Sequence, residues 1–330
     1  METRLLGNSN LKLSSITFGA WAIGGWMWGG ADKNDAIDAL DAAIDAGITT
    51  IDTAPVYGFG QSEKLVGKAI KGKREKLQIL TKYGLGWEDT KGQFFFNTMS
   101  NEGKPLDIYK FAGKESVIRE CEKSLKNLGT DYIDLYQIHW ADITTPVQET
   151  MEAMEILIRQ GKIRYAGVCN YDSALVTEAL KYLPVISDQV PYSMVNRNIE
   201  EDLIPNCIKN NIGILAYSPL QRGLLTGKMT KGYQFNEGDT RPASPYYKEP
   251  NYSRILEFID TIRPIADIHR ATIGQVAINW TLQQPGISSA LVGARNRVQV
   301  LDNIKAVEFK LSGEEINEIN NNLTKVMIEK

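Results

Sequence analysis

Two histidines and three cysteines are all that this 330-residue chain offers of the side chains that most often hold transition metals. His139 and His269 are too few for a histidine-built metal site, so none is expected. Cys121, Cys169 and Cys207 form an odd set with no close pairing, which argues against a disulfide framework and against a thiolate zinc site. Long apolar runs are missing too; none approaches the ~20 residues of a membrane-crossing helix. The opening METRLLGNSNLKL carries Glu2, Arg4 and Lys12 and no stretch resembling a signal peptide, so a reducing cytoplasm is the expected location. A formal net charge of −3 provides no field for gathering nucleic acid or anionic lipid. The expected partner is a small molecule, with neither nucleic acid nor membrane involved; the oligomeric state is left open.

What is present is apolar and aromatic: 43% hydrophobic residues, with 6 Trp and 14 Tyr, enough for a substantial core. Short β-rich runs alternate with helical patterns throughout. The strand candidates are 16–18, 49–52, 78–81, 132–138, 163–168, 186–190, 213–217 and 290–292, about the number that a closed (β/α)8 TIM barrel requires. Long spacings after the third and seventh strands mark two βα-loop insertions, 84–113 and 232–251. No composition shift divides the chain, so residues 1–330 are expected to form a single barrel domain. Between strands, Ala36, Ile37, Leu40, Ala43 and Ile44 follow the spacing of one apolar helix face, with Gly47 as its stop. Thr145, Pro146 and Gln148 read as a capping box ahead of the stripe Val147, Met151, Met154, Leu157 and Ile158.

Gly58-Phe-Gly-Gln-Ser-Glu63 begins like a dinucleotide fingerprint, but Glu63 stands where the third small residue belongs. Five residues also separate it from the preceding strand, whereas the fingerprint turns directly from strand into helix. More informative are the strand ends, where βα barrels keep their chemistry. Asp52 closes the second strand, Lys82 follows the third and His139 follows the fourth, with Tyr57 on the loop after Asp52. Singly, each has an ordinary explanation as a turn cap, a loop charge or a packing aromatic. Together they form a kit for proton transfer at a carbonyl or alcohol oxygen. A tyrosine hydroxyl ordinarily titrates near ~10, and a neighbouring ammonium is expected to lower it. An aspartate would aim that ammonium, and a histidine can hydrogen-bond a carbonyl oxygen.

The motifs GAWAIGGWMWGG (19–30), IDTAPVYGFGQSEKLVGKAI (51–70), LTKYG (80–84), TDYIDLYQIHW (130–140), GKIRYAGVCNY (161–171), AYSPLQRGLLTGK (216–228) and VGARNRVQVLDN (292–303) span nearly the whole chain. In these the sequence resembles the aldo-keto reductase superfamily. Its nearest branch is the bacterial general-stress and inositol-associated reductases, related to the potassium-channel β subunits. The resemblance implies that residues 3–13 form a hairpin closing the barrel bottom. It also implies a catalytic tetrad of Asp52, Tyr57, Lys82 and His139, with Tyr57 as general acid and hydride passing directly from a nicotinamide.

The same resemblance assigns Asn170 and Gln189 to the nicotinamide carboxamide and Tyr217 to its ring. Ser218, Pro219, Leu220, Arg222, Gly223 and Leu224 would fold over the pyrophosphate. Gly293 and Arg295 would meet the adenosine 2′-phosphate, and Gln299 and Asn303 the adenine. An arginine at that phosphate is what favours NADP(H) over NAD(H). Cys169 departs from the family, which often has serine there beside the carboxamide. A thiol is a weaker hydrogen-bonding group, and Cys169 is open to an oxidation-sensing role as well as to that of an inert thiol. Arg297 stands where the family often has proline and reads either as a second phosphate contact or as surface charge.

Trp21, Trp26, Trp28, Trp87 and Trp140 all lie on segments following strands, and Tyr192 lies just after the sixth strand. They are expected to line the substrate pocket and to suit flat or sugar-ring carbonyl substrates. The insertion 84–113, with Phe94-Phe-Phe96, reads as a lid or an ordered excursion, and 232–251 as a cover for the cofactor. The leading expectation is an NADPH-dependent reductase of aldehydes and ketones. The alternative is a slow-turnover, NADP-binding redox-sensing scaffold similar to the channel β subunits.

Overall fold

A computed structural model describes residues 1–28, 30–235 and 238–329; Gly29 of the first motif and residues 236–237 of the second insertion lie outside them. The chain opens with a hairpin, β1 (Thr3–Leu5) paired antiparallel with β2 (Lys12–Ser14). It buries Leu6, Leu11 and Leu13 against Leu80, Leu135, Ile186, Leu215 and Leu291 of the barrel strands. Removing those leucines from water is what plugs the barrel floor.

Strands and helices then alternate: β3 (Ile16–Gly19), α1 (Lys33–Asp45), β4 (Thr50–Asp52), α2 (Gln61–Ile70) and β5 (Gln78–Tyr83). The first insertion supplies β6 (Leu85–Gly86), β7 (Gln93–Met99) and β8 (Pro105–Lys110). There follow α3 (Lys114–Leu128), β9 (Ile133–Ile138), α4 (Val147–Arg159), β10 (Ile163–Cys169), α5 (Ser173–Ala179), β11 (Val185–Pro191), α6 (Leu203–Lys209) and β12 (Gly213–Tyr217). After the second insertion come α7 (Asn251–Thr261), α8 (Arg263–Ile268), α9 (Ile273–Leu282), β13 (Ile287–Gly293), α10 (Arg297–Ile304) and α11 (Gly313–Leu323). β3, β4, β5, β9, β10, β11, β12 and β13 pair in parallel and close through β13–β3, a (β/α)8 barrel.

Each strand candidate is found. The eighth, read as 290–292, extends back to Ile287 because its serine is satisfied inside the barrel, Ser289 Oγ lying 2.7 Å from Thr17 Oγ1. The α1 face is buried as its spacing requires, and Asp32 caps the helix by accepting from the Asn34 and Asp35 amides. The capping box at 145–148 does not form. Asp142 takes the Thr145 hydroxyl at 2.7 Å, and Gln148 turns along the helix to Glu152, leaving α4 to start from Pro146.

The insertion 84–113 is a three-stranded antiparallel sheet in the order β6-β8-β7, laid beside the barrel mouth. A bulge between Phe94 and Phe96 interrupts the alternation in Gln93–Met99, so Phe94 faces solvent while Phe96 packs on Trp26, with ring centroids 6.2 Å apart. The second insertion is held by turns at Arg241–Ala243 and Pro245–Tyr247, and the Tyr247 hydroxyl donates to the carbonyls of Gln221 and Arg222.

Candidate active site

The C-terminal ends of the barrel strands open into a cleft of about 530 Å³. Asp52 is the last residue of β4 and Lys82 lies on β5, both with their side chains out of contact with solvent. Lys82 Nζ donates to Asp52 Oδ1 at 2.6 Å and to the Thr53 carbonyl at 3.0 Å. Burying two charges costs several kcal/mol per ion unless their hydrogen bonds are complete. Here the second carboxylate oxygen is filled as well: Gln189 on β11 reaches across and donates from Nε2 to Asp52 Oδ2 at 2.8 Å.

Tyr57 comes up against this pair on the loop that follows β4. The loop is held close by Gly24, where a Cβ would lie 2.8 Å from the Tyr57 carbonyl oxygen. Lys82 Nζ sits 4.9 Å from the Tyr57 ring centroid, and His139 stands edge-on at 5.7 Å. Trp21 stacks on the other side at 6.0 Å. Asp52, Tyr57 and His139 line the cleft, and Lys82 lies behind them.

The electrostatics correct one expectation. Burial pushes the Tyr57 hydroxyl up to about 12, outweighing the downward pull of Lys82. Burial also works against the charge on Lys82, but Asp52 and then Tyr57 more than reverse it, so the ammonium stays charged. His139 is driven well below its ordinary value by burial and then by the Lys82 charge, which keeps the imidazole neutral.

Most of the expected cofactor residues line the cleft. Asn170 and Ser218, just beyond β10 and β12, both adopt left-handed backbone, with φ 58 and φ 56. Arg222 does so too, at φ 55. Such conformations cost of order 1–3 kcal/mol each and cluster where a site demands them. Asn170 donates from Nδ2 to the His139 carbonyl at 3.0 Å and accepts the Tyr217 hydroxyl at 2.9 Å. Gln189, Tyr217, Pro219, Leu220 and Gly223 also line the cleft. At its far end lie Gly293, exposed Arg295, Gln299 and Asn303. The Gln299 side chain accepts the Arg295 amide at 2.8 Å, shaping that turn.

Several expected residues are elsewhere. Leu224 turns its side chain into the core, following three consecutive residues with positive φ, Gln221, Arg222 and Gly223. Cys169 is buried among the inward-facing residues, off the cleft wall, and burial pushes its thiol well up, which suppresses the reactive thiolate. Tyr192 leaves the barrel outward, stacks on Trp280 at 5.7 Å and donates to Glu200. Trp87 packs edge-on against Phe59 behind the cleft rather than lining it. Trp21, Trp26, Trp28 and Trp140 do line it. Arg297 pairs with Asp38 on α1, so its charge is already matched.

The cleft also includes Phe95, Phe96, Lys228 and Arg241. Arg241 is clamped by Asp239 and lies 5.6 Å over the Trp28 ring, while Arg222 lies 5.1 Å over the same ring. Sequence spacing gave no sign of Arg241, which acts from a long irregular loop. Lys228 closes a motif already singled out, and only its neighbour Asp302 at 3.5 Å shows where it points. Among the described residues no group of three His, Cys, Asp or Glu side chains is placed to hold a metal ion, and no helix is long and apolar enough to cross a membrane.

The chain is similar to known proteins along most of its length. The Aldo/keto reductase family matches residues 15–323. The aldo-keto reductase YhdN of Bacillus subtilis is 38% identical over 97% of this chain and 93% of its own. The NADH-specific methylglyoxal reductase of Escherichia coli is 37% identical, over 93% of this chain and 94% of its own. Among solved structures, the glycerol dehydrogenase AKR11B4 from Gluconobacter oxydans superposes with a TM-score of 0.89 at 34% identity, covering 99% of this chain and 97% of that one. The chain belongs to the aldo/keto reductase family.

Proposed function

We propose that this single-domain barrel is an NADP(H)-dependent reductase of small aldehydes and ketones, with Tyr57 as its general acid. The observation that carries the reading is the buried chain Gln189–Asp52–Lys82 ending at Tyr57 and neutral His139 on the cleft floor. A bound nicotinamide would supply the hydride. The protein supplies the rest. Tyr57, kept protonated, donates its hydroxyl proton to the carbonyl oxygen as charge develops there. Lys82 stabilises the tyrosinate left behind, and Asp52 fixes the ammonium beside it. Neutral His139 offers an N–H to the same oxygen and orients the carbonyl. Trp21, stacked on Tyr57, keeps bulk water from the proton path.

The wall opposite suits a dinucleotide. Arg222 Nε and the indole Nε1 of Trp28 are buried donors without an acceptor among the described residues, which anionic oxygens would satisfy. Asn170, Gln189 and Tyr217 would hold the nicotinamide, and Ser218, Pro219, Leu220, Arg222 and Gly223 the pyrophosphate. The preference for the phosphorylated cofactor rests on Arg295, exposed at the far end with no acidic partner among the described residues. Similarity alone does not decide it, since one relative carries an NADH-specific name. The test is multiple-turnover NADPH oxidation with 4-nitrobenzaldehyde and a panel of carbonyls and sugars. Sustained turnover that Tyr57→Phe abolishes supports the reading. Tight NADPH binding with little turnover on any substrate would replace it with the redox-sensing scaffold.

A further inference from the structure

Gln189 is not free to choose how it faces the cleft. A glutamine side chain has two donor hydrogens on Nε2 and an acceptor at Oε1, and in an open site either end can turn toward a ligand. Here Nε2 donates to Asp52 Oδ2 at 2.8 Å, in a place where Gln189 is 3% exposed and Asp52 2%. Turning the amide over would set Oε1 against a carboxylate oxygen that can only accept. Asp52 itself cannot move away, because Oδ1 is held by Lys82 at 2.6 Å. Asn170 is fixed in the same sense: its Nδ2 is engaged by the His139 carbonyl and its Oδ1 by the Tyr217 hydroxyl.

We propose that Asp52, besides aiming Lys82, acts as a positioning residue for cofactor recognition: it locks Gln189 with its acceptor toward the cleft, so that the site selects a dinucleotide whose ring substituent carries an N–H donor. This rests on the dinucleotide reading above. It goes further by making Asp52 the joint between the cofactor wall and the proton-transfer chain. A ring substituent with only a carbonyl would leave Gln189 Oε1 buried and unpaired, a defect that costs ~1–3 kcal/mol, or about 5- to 150-fold in affinity.

The test needs no turnover. Dissociation constants of NADP⁺ and of its 3-acetylpyridine analogue, which keeps the carbonyl and loses the N–H₂, are measured by tryptophan fluorescence quenching. The protein should prefer NADP⁺ by about tenfold or more. In Asp52→Asn, Lys82 holds the new amide's oxygen and its N–H₂ faces Gln189, which must turn its own oxygen inward and its N–H₂ to the cleft, so the preference should fall to about twofold or less. Gln189→Met should lose it altogether. Gln189→Glu should regain part of its NADP⁺ affinity at low pH, where the protonated acid again donates to Asp52. A preference unchanged in Asp52→Asn, with circular dichroism showing a folded protein, would overturn the lock. Failure of the parent reading looks different: neither dinucleotide would bind the wild-type protein.

Discussion

The two ends of the cleft are built on opposite principles. At the floor, Asp52, Lys82 and Gln189 are buried and hydrogen-bonded to one another. At the far end, Arg295 is exposed, and the residues around it are fixed mainly through the backbone of one turn. Charges removed from water must be matched, because an unmatched one costs several kcal/mol. The floor therefore tolerates little change without unfolding or losing its chemistry. A solvated arginine has no such obligation, so under the proposed function cofactor choice can drift while the floor stays intact. That is one way for a relative with an NADH-specific name to share 37% identity with a chain whose own far end carries an exposed arginine without an acidic partner among the described residues.

The largest expected effect lies at the floor. Tyr57→Phe should lower turnover by about 10²–10⁴-fold, the usual worth of a positioned general acid, while leaving NADPH affinity within about twofold. Steady-state rates and fluorescence titration measure both; a variant keeping a tenth of the activity would remove Tyr57 from its role. Lys82→Met should instead cost the fold about 3–5 kcal/mol by stranding buried Asp52, read as a lowered urea midpoint. If that variant were as stable as the wild type, the contrast between the two ends would collapse.

At the far end the effect should be smaller and selective. Arg295→Ala should weaken NADPH about 10- to 100-fold, the worth of one charge-assisted hydrogen bond, and NADH less than about twofold. Equal losses for the two cofactors would show that the arginine does not read the phosphate.

The same contrast governs what could be read from the sequence. Asp52, Lys82 and His139 were legible because a barrel strand delivers its last residues to a fixed place, and eight strands repeat the signal. Asn170, Gln189 and Tyr217 also stand at strand ends, but it is the family resemblance that singles them out. Tyr192 and Trp87 misled because being near a strand end fixes position along the chain but not which way the side chain turns. Tyr192 leaves the barrel outward to stack on Trp280. Arg241 escaped notice because it reaches the cleft from an irregular loop, aimed by Asp239 rather than by a periodic element. The lysine's downward pull on Tyr57 is readable from the sequence, but not that desolvation of the hydroxyl in the cleft floor outweighs it.

That ionisation gives a pH test of moderate size. With the Tyr57 hydroxyl at about 12, the acid form that the proposed reduction requires persists through the neutral range, whereas oxidation would require the rare tyrosinate. Reduction should vary less than about twofold between pH 6 and 9, and alcohol oxidation should climb with pH over the same span. A reduction rate that fell steeply between pH 6 and 8 would place a different acid at the floor.

The smallest expected effect concerns stability. Glu120 on α3 accepts the Gly84 amide at 2.9 Å where β5 gives way to the first insertion. Burial raises its carboxyl to about 7, with the Gly84 amide, Ser116, Arg119 and Lys123 pulling only partly back. A carboxyl raised on folding favours the folded state while protonated. Its contribution is therefore full below about 4.5, its unfolded value, and is lost as the pH climbs through about 7. Glu120→Gln keeps an acceptor for the Gly84 amide and cannot ionise. Relative to the wild type its melting temperature should gain about 2 °C between pH 5 and pH 8, as followed by circular dichroism. Arg295→Ala, whose side chain stays in water, should show no such pH-dependent difference. If both variants tracked the wild type in parallel, proton linkage would not distinguish the buried half of the molecule from the solvated one.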